Sequence, residues 1–226
     1  MGKIMKRICY VLSLLFLSVL FCMNIYAATL FLQPYHEGKD TFFNDLNPTQ
    51  NYGTNEYLLT RNNWSGSTVY SVVEFNLSSL PAYQVITSAT LEIFNDRILS
   101  GPSTIELYRI TSSWLENTVN WSTQPIVDLS TPITNIGGAP TVSTWVEWDI
   151  TDWVSGWYNG TYNNFGFELR NTTSGVDIRF RSSDYGDTPY RPKLTIEYEV
   201  QLVPEPASLV LLGLGLVGIV RRKLRK

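Results

Sequence analysis

The feature that most restricts the fold is a series of short segments in which apolar and polar residues alternate. They include residues 69–77, 89–94, 165–169 and 194–198. Because successive side chains of a β-strand point to opposite faces, this period of two predicts strands with one buried and one solvated face. Asn-Pro, Gly-Pro and Gly-Gly pairs punctuate the segments and predict turns. The expected fold class is therefore all-β, an antiparallel β-sandwich of the jelly-roll kind.

One segment has a different period. Residues 151–159 place Trp153 and Trp157 on the same side at helical spacing, which predicts a short helix packed on the edge or mouth of the sandwich. Thr151 is a suitable N-cap for this helix, and Gly160 would end it.

The N-terminus has the three parts of a secretory signal peptide, which we assign to residues 1–27. Three basic residues precede an apolar run, and the small residues Ala27 and Ala28 offer the cleavage site. A lipoprotein signal around Cys22 and an uncleaved anchor are the alternatives. The folded domain is expected to span residues 28–200.

The C-terminal segment also has three parts. They are a linker at 201–206 with the motif Val203, Pro204, Glu205 and Pro206, an apolar run at 207–220, and a basic end at 221–226. The prolines separate the run from the domain because they fix φ and lack an N–H. We expect a short transmembrane helix at 207–220, although ~20 residues are usual. Since basic residues stay on the cytoplasmic side, the domain would lie outside; a buried core helix is the alternative.

Composition excludes several kinds of chemistry. Both cysteines, Cys9 and Cys22, lie in the signal peptide, so the exported part has neither disulfides nor cysteine ligands. Eight of the 17 basic residues lie in the signal peptide and the basic end, whereas all 20 acidic residues lie between these two, which leaves residues 28–220 at a formal charge of −11. Such a charge argues against nucleic acid or anionic membrane as a partner and is compatible with calcium.

Two groups of motifs resemble known families. The Val-Pro-Glu-Pro motif, apolar run and basic end resemble the PEP-CTERM sorting signal of Gram-negative bacteria. This likeness implies recognition by an exosortase, cleavage near the motif, and an association with extracellular polysaccharide.

The domain carries the second group of motifs. The stretches are Asp-Thr-Phe at 40–42, Asn-Tyr-Gly at 51–53, 75–81 with 86–91, Trp-Leu-Glu-Asn-Thr-Val-Asn-Trp at 114–121 with Pro125, and 148–151 with 157–160, 166–170 and 191–194. In this order they resemble the DNRLRE, or disaggregatase-related, family of extracellular domains, part of which is classed among carbohydrate-binding modules. The resemblance implies a jelly-roll-like sandwich and no single ligand.

An enzyme is difficult to build from these residues. His36 is the one histidine, so a Ser-His-Asp triad lacks a credible base, and the sequence has no phosphate loop. A carboxylate pair for glycoside hydrolysis is the alternative, with Glu74, Glu106, Glu147 and Asp149 as candidates. We expect a non-catalytic protein.

Sugar binding needs flat aromatic rings beside polar groups, and two tryptophans suit it. Trp145 is in phase with Glu147 and Asp149 rather than with the apolar residues, and Trp64 lies in a polar loop. Both are candidate stacking platforms. The tryptophans that we assign to the core are Trp114, Trp121, Trp148 and Trp153.

The basic residues of the domain become frequent near its end, where we expect a hairpin of residues 165–170 and 177–182. Its register gives three cross-strand pairs: Arg170 with Asp177, Glu168 with Arg179, and Arg181 with Gly166. Arg181 would have no ionic partner, which makes it the candidate contact for an anionic sugar. Residues 126–142 lack periodicity and are expected to form a long loop.

A calcium site is a further hypothesis. Its candidate ligands are Asp40, Asn44, Asp45 and Asn47, which crowd one oxygen-rich stretch. The spacing is not that of an EF-hand, and turn formation by Asn and Asp is the simpler interpretation.

Together these features predict a non-catalytic exported surface or matrix protein. It would be associated with exopolysaccharide or bind carbohydrate, be held transiently in the inner membrane, and reach the cell surface through an exosortase. The alternatives are a secreted polysaccharide hydrolase or lyase, and a structural adhesin without a small ligand.

Overall fold

The computed structural model describes residues 25–35 and 38–201. They contain eleven β-strands, one α-helix and two 3₁₀ turns, joined by loops. The strands are β1 (Ile25–Leu32), β2 (Lys39–Asn44), β3 (Tyr57–Trp64), β4 (Ser67–Glu74), β5 (Gln84–Leu99), β6 (Ile105–Ile110), β7 (Val127–Thr134), β8 (Thr144–Asp149), β9 (Phe167–Asn171), β10 (Val176–Arg181) and β11 (Lys193–Gln201). Helix α1 spans Thr151–Tyr158, and the 3₁₀ turns are Trp121–Thr123 and Thr188–Tyr190.

The strands form one sheet in the order β1-β11-β5-β10-β3-β4-β9-β6-β7, with β2 paired to β4 and β8 paired to β5. Antiparallel registers join β10 to β3 and β5, and β9 to β4 and β6. The sheet curls so that its two halves face each other, which confirms the predicted β-sandwich. Trp148 links the halves, because its indole Nε1 donates to the carbonyl of Ile105 at 3.0 Å.

The core lies between the two halves and follows the alternation seen in the sequence. On β10, Ile178 and Phe180 are fully buried, whereas Arg179 and Arg181 point to the other face. The buried side chains on the other strands include Leu58, Val69, Val73, Leu91, Ile93, Ile105, Leu107, Phe167, Leu169, Leu194 and Ile196.

The short helix is confirmed, but its cap is not the predicted one. Trp153 and Trp157 are buried, and the N-cap residue is Ile150, which makes no side-chain cap bond. The hydroxyl of Thr151 is used elsewhere: it accepts from the backbone N–H of Ala89 at 2.9 Å and donates to Asp149 at 2.6 Å. Thr151 therefore ties the helix to β5 instead of capping it.

The expected loop at 126–142 was wrong in part, because it contains strand β7. This strand pairs with β6 at the end of the sheet order, and most of its side chains are exposed. An edge strand that buries neither face leaves no period of two in the sequence.

The expected hairpin between 165–170 and 177–182 was also wrong. Strand β9 pairs with β4 and β6, whereas β10 pairs with β3 and β5, so the chain crosses from one half of the sheet to the other. Asn171 stabilises this crossing, since its side-chain amide donates to the carbonyls of Thr60 and Val176 at 3.0 Å. None of the predicted cross-strand pairs forms.

A second apolar cluster packs on the outer side of β4 and β6. It contains Phe43, Val72, Ile110, Trp114 and Val119, all buried. Trp114 is fixed there by a hydrogen bond from its Nε1 to the carbonyl of Phe165 at 2.9 Å. The sandwich therefore has one outer face that a loop covers in part.

Candidate functional site

The other outer face is rich in arginine because of the alternation on β10. Asp177, Arg179 and Arg181 point outwards, and the register sets them opposite Arg61, Leu59 and Tyr57 of β3. On the other side, Arg179 lies opposite Arg97 of β5. We call the outer side of β3, β5 and β10, with the adjoining β8 and β11, the arginine face.

Two aspartates hold the arginines in place. Asp96 accepts from Nε and Nη2 of Arg179 at 2.8 and 2.9 Å, and its carboxylate forms an ion pair with Arg181, 2.8 Å from Nη2. Asp177 has a fully buried side chain and lies 2.9 Å from Nη2 of Arg97 and 3.4 Å from Nε of Arg61. The hydrogen bond to Asp96 raises the pKa of Arg179, so this cation is permanent.

Aromatic rings lie directly beneath these guanidinium groups. Arg179 is 4.1 Å and Arg181 4.9 Å from the ring centroid of Tyr57, and Arg181 is 3.8 Å from that of Tyr185. The two tyrosine rings are 6.1 Å apart. Cation–π contacts of this kind orient the guanidinium group without consuming its hydrogen-bond donors.

Trp145 extends the arginine face on β8. It lies opposite Phe94 of β5, with the ring centroids 5.4 Å apart, and Lys193 sits 4.0 Å from the Trp145 ring. Lys193 also pairs with Glu92 at 2.9 Å. Trp64 lies at the opposite end of β3, where its Nε1 donates to the hydroxyl of Ser100 at 3.3 Å.

The structure thus places all three sequence-predicted ligand residues, Trp64, Trp145 and Arg181, on the arginine face. The reason for selecting Arg181 was wrong, because it has an ionic partner in Asp96. Sequence reasoning missed Tyr57, whose alternation with the buried Leu58 was the available signal. It also missed Tyr185, for which a turn sequence gave no signal.

Ion pairs on the arginine face join five cations to three anions. The cations are Arg61, Arg97, Arg179, Arg181 and Lys193, and the anions are Glu92, Asp96 and Asp177. The ion pairs around β10 therefore contain a local surplus of arginines, while Glu147, Glu197 and Glu199 lie on the same outer side of β8 and β11. Nε of Arg61, Arg97 and Arg181 is buried and has no hydrogen-bond partner among the described residues.

On the opposite outer face, two carboxylates are bonded to an arginine and a tyrosine. Glu168 is fully buried and accepts from Nε of Arg170 at 2.5 Å, while Glu106 accepts from the Tyr108 hydroxyl at 2.5 Å. Burial raises the pKa of Glu168 to about 7. Burial and the bond to Glu106 raise the pKa of Tyr108 to about 12.

The four carboxylates considered for catalysis have structural partners or lie apart. Glu74 binds Lys39 at 2.5 Å, Asp149 accepts from Thr151, and Glu147 is exposed on β8. The hydrogen bonds from Thr151 lower the pKa of Asp149. Of two surface pockets, one of about 330 Å³ has no carboxylate in its lining and one of about 450 Å³ has only Glu74.

The four residues proposed for calcium do not converge. Asp40 is the second residue of β2, whereas Asn44 ends the strand and Asp45 and Asn47 follow in the turn. Asn44 accepts from the backbone N–H of Leu46 within the turn, and Asp45 accepts from that of Thr68 on β4. Within 25–35 and 38–201, no three Asp, Glu, His or Cys side chains stand in positions that could hold a metal ion.

Several predictions concern the ends of the chain. Ala27 and Ala28 lie in β1, while His36, the motif at 203–206, the apolar run at 207–220 and the basic end lie outside the described residues. Among the residues that are described, no helix has the length and apolarity to cross a membrane.

Comparison with known proteins identifies both parts of the chain. Residues 33–198 match carbohydrate-binding module family 96, and residues 202–226 match the PEP-CTERM protein-sorting motif. No curated protein matches the chain. The second match implies processing by an exosortase and a route through the membrane to the cell surface. The first implies a polysaccharide ligand and is compatible with the DNRLRE likeness. The chain belongs to carbohydrate-binding module family 96, and it is an exported carbohydrate-binding protein with a PEP-CTERM sorting signal.

Proposed function

We propose that the arginine face binds the polysaccharide and that this polysaccharide is acidic. The observation that carries the proposal is the position of Arg179 and Arg181 over Tyr57 and Tyr185. The tyrosine rings hold the two guanidinium groups in place, and a planar guanidinium group matches a carboxylate in a two-pronged hydrogen bond. A carboxylate-bearing sugar chain would therefore bind across β3 and β10.

Charge supports an acidic ligand over a neutral one. The face has more cations than anions in its ion pairs, and Arg181 makes a single ion-pair contact, with Asp96. Its Nε is buried, so a sugar carboxylate would bind at its Nη atoms. Around β10 four arginines pair with two aspartates, Asp96 and Asp177, and a neutral polymer would leave this local surplus without a partner, so we expect discrimination of about 1 to 2 kcal/mol between acidic and neutral chains of equal length.

The proposal is tested with Arg181→Gln. Asp96 keeps its two bonds to Arg179 in this variant, so the fold should persist. We expect retention in affinity electrophoresis on a polyuronate gel to fall about tenfold, with no change on a neutral glucan gel.

The matched control is Arg109→Gln. Arg109 also stacks on a tyrosine, Tyr162 at 4.2 Å, and pairs with an aspartate, Asp128 at 2.9 Å, but it lies on β6. Its loss should leave retention unchanged. Equal loss in both variants, or no loss in Arg181→Gln, would remove the arginine face as the binding surface.

We also propose that the chain is non-catalytic and that its tail holds it transiently with the domain outside the membrane. Carbohydrate-binding modules typically carry no activity, and the pockets described above lack a carboxylate pair. Prolonged incubation with the polyuronate should leave its chain length unchanged.

Deletion of residues 203–226 should abolish surface display; a truncated chain displayed as well as the full chain would contradict this role of the tail.

A further inference from the structure

A second pair of arginines lies on the arginine face, beside the pair that stacks on the tyrosines. Arg97 of β5 and Arg61 of β3 both contact the carboxylate of Asp177, with Nη2 of Arg97 at 2.9 Å and Nε of Arg61 at 3.4 Å. The Asp177 side chain is fully buried, whereas those of Arg61 and Arg97 are 19 % and 34 % exposed. A ligand that approaches this place therefore meets the cations and not the anion.

This second pair repeats the composition of the first pair, Arg179 and Arg181, which also share one aspartate. In both pairs one carboxylate faces two guanidinium groups, so one positive charge is left over. In both pairs an aromatic ring of β3 lies beside an arginine. The ring is Tyr57 in the first pair, and in the second it is Trp64, whose centroid is 5.1 Å from the guanidinium of Arg61.

The strand register fixes the spacing of the two pairs. Arg181 lies opposite Tyr57, and Asp177 lies opposite Arg61, so four residues of β10 separate the two levels. At the rise of a β-strand this is about 13 Å, and the even count keeps both levels on the same outer side. The carboxylates of adjoining sugar rings lie closer together than this. A disaccharide therefore occupies one pair at a time, whereas a longer chain can reach both.

We propose that Arg61 and Arg97 form a second carboxylate subsite, so that the arginine face holds an acidic polysaccharide through two carboxylates on separate sugar rings. This inference rests on the proposed function and adds the kind of ligand, a uronate chain of several rings lying along β3 and β10. Nε of both arginines is buried, so the carboxylate would bind at their Nη atoms. Occupation of one pair raises the effective concentration of the chain at the other.

Calorimetric titration of Arg97→Gln with a uronate hexasaccharide and a uronate disaccharide tests the second subsite. Affinity for the hexasaccharide should fall about fivefold, because one of its two contacts is lost. Affinity for the disaccharide should change less than about twofold, because the first pair remains available to it. Equal losses with both ligands would contradict a second subsite, since both would then depend on the same contact.

Arg181→Gln, titrated with the same hexasaccharide, separates this inference from the proposed function. A loss in Arg181→Gln without one in Arg97→Gln would overturn the second subsite and leave the proposed function intact. No loss in either variant would overturn both. A loss in Arg97→Gln alone would remove the first pair, and with it the arrangement of two subsites.

Two further variants control for folding. If the buried Asp177 destabilises Arg97→Gln, Arg97→Lys keeps a cation beside it but lacks the planar fork, so hexasaccharide affinity should fall about threefold with the Tm unchanged. Unchanged affinity in Arg97→Lys as well as in Arg97→Gln would overturn the proposal. Arg109→Gln is the matched control, since Nη2 of Arg109 also lies 2.9 Å from an aspartate, and its affinity for both ligands should equal that of the wild type.

Discussion

Arg181 and Arg170 occupy similar environments on two different outer faces of the same sheet. Arg181 lies over Tyr57 and Tyr185, and Arg170 lies 4.1 Å from Tyr70 and 5.0 Å from Tyr108. Their anionic partners differ, however. Arg181 shares Asp96 with Arg179, whereas Arg170 alone compensates the fully buried Glu168.

The difference shows how one combination of residues takes two roles. Around Arg170, the rings of Tyr70 and Trp121 stack at 5.5 Å and pack against the buried cluster of Phe43, Val72 and Trp114. That arginine belongs to a structural face. The Arg181 side chain, 16 % exposed against 23 % for Arg170, instead shares its carboxylate with a second arginine. We therefore expect substitutions on the first face to change stability and those on the second to change binding.

The largest expected effect is on stability, from Trp114→Ala. The indole is 6 % exposed, belongs to the buried cluster and donates to the carbonyl of Phe165. Its removal should lower the free energy of unfolding by about 4 kcal/mol in urea titrations. Trp145→Ala on the arginine face is the comparison and should cost about 1 kcal/mol, because that ring is half-buried. Equal losses would erase the distinction between the two faces.

The next effect is a pH dependence that Glu168 introduces. The pKa of Glu168 is about 7 in the folded protein against an ordinary value of 4.5, so the folded state keeps a proton that the unfolded chain releases. The contribution of Glu168 to the free energy of unfolding is therefore fully present below pH 4.5. It falls by about 3 kcal/mol as the pH rises to about 7.

Urea titrations at several pH values check this prediction. Glu168→Gln should reduce the slope of the profile between pH 4.5 and 7, and part of the slope should remain because burial also raises the pKa of Asp40 to about 7. Asp149→Asn is the control, because hydrogen bonds from Thr151 lower the pKa of Asp149 and its titration lies below this window. Parallel profiles for the wild type and Glu168→Gln would show that Arg170 keeps Glu168 ionised.

The next smaller effect is on polyuronate affinity, and it should distinguish the two faces. Tyr57→Ala removes the ring under Arg179 and Arg181 and should lower polyuronate affinity about tenfold, equivalent to about 1.4 kcal/mol. Tyr70→Ala removes the equivalent ring under Arg170 and should leave affinity unchanged. Calorimetric titration of both variants with the same oligosaccharide measures the difference. An affinity loss in Tyr70→Ala as large as that in Tyr57→Ala would make both faces ligand surfaces.

The local part of this arrangement could be predicted from the sequence. Alternation placed Ile178 and Phe180 inwards, and the polar phase of Trp145 placed it on an outer face. The long-range part could not be predicted. Asp96 reaches Arg179 only because β5 and β10 are neighbours in the sheet, and Asp40 meets Ser183 across a separation of 143 residues. A single sequence carries no signal for such pairings, and the same gap produced the incorrect hairpin at 165–182.

The smallest expected effect is at Trp64, and it measures how far the arginine face extends. Trp64 lies at the end of β3, 5.1 Å from the guanidinium of Arg61, and its indole nitrogen is bound to Ser100. If a sugar chain runs along β3 from Tyr57, a longer chain reaches Trp64 and a short one does not. Trp64→Ala should therefore lower the affinity for a long oligouronate about threefold and leave that for a disaccharide unchanged. Equal loss with both ligands would place the main contact at Trp64 rather than at Tyr57 and Arg181.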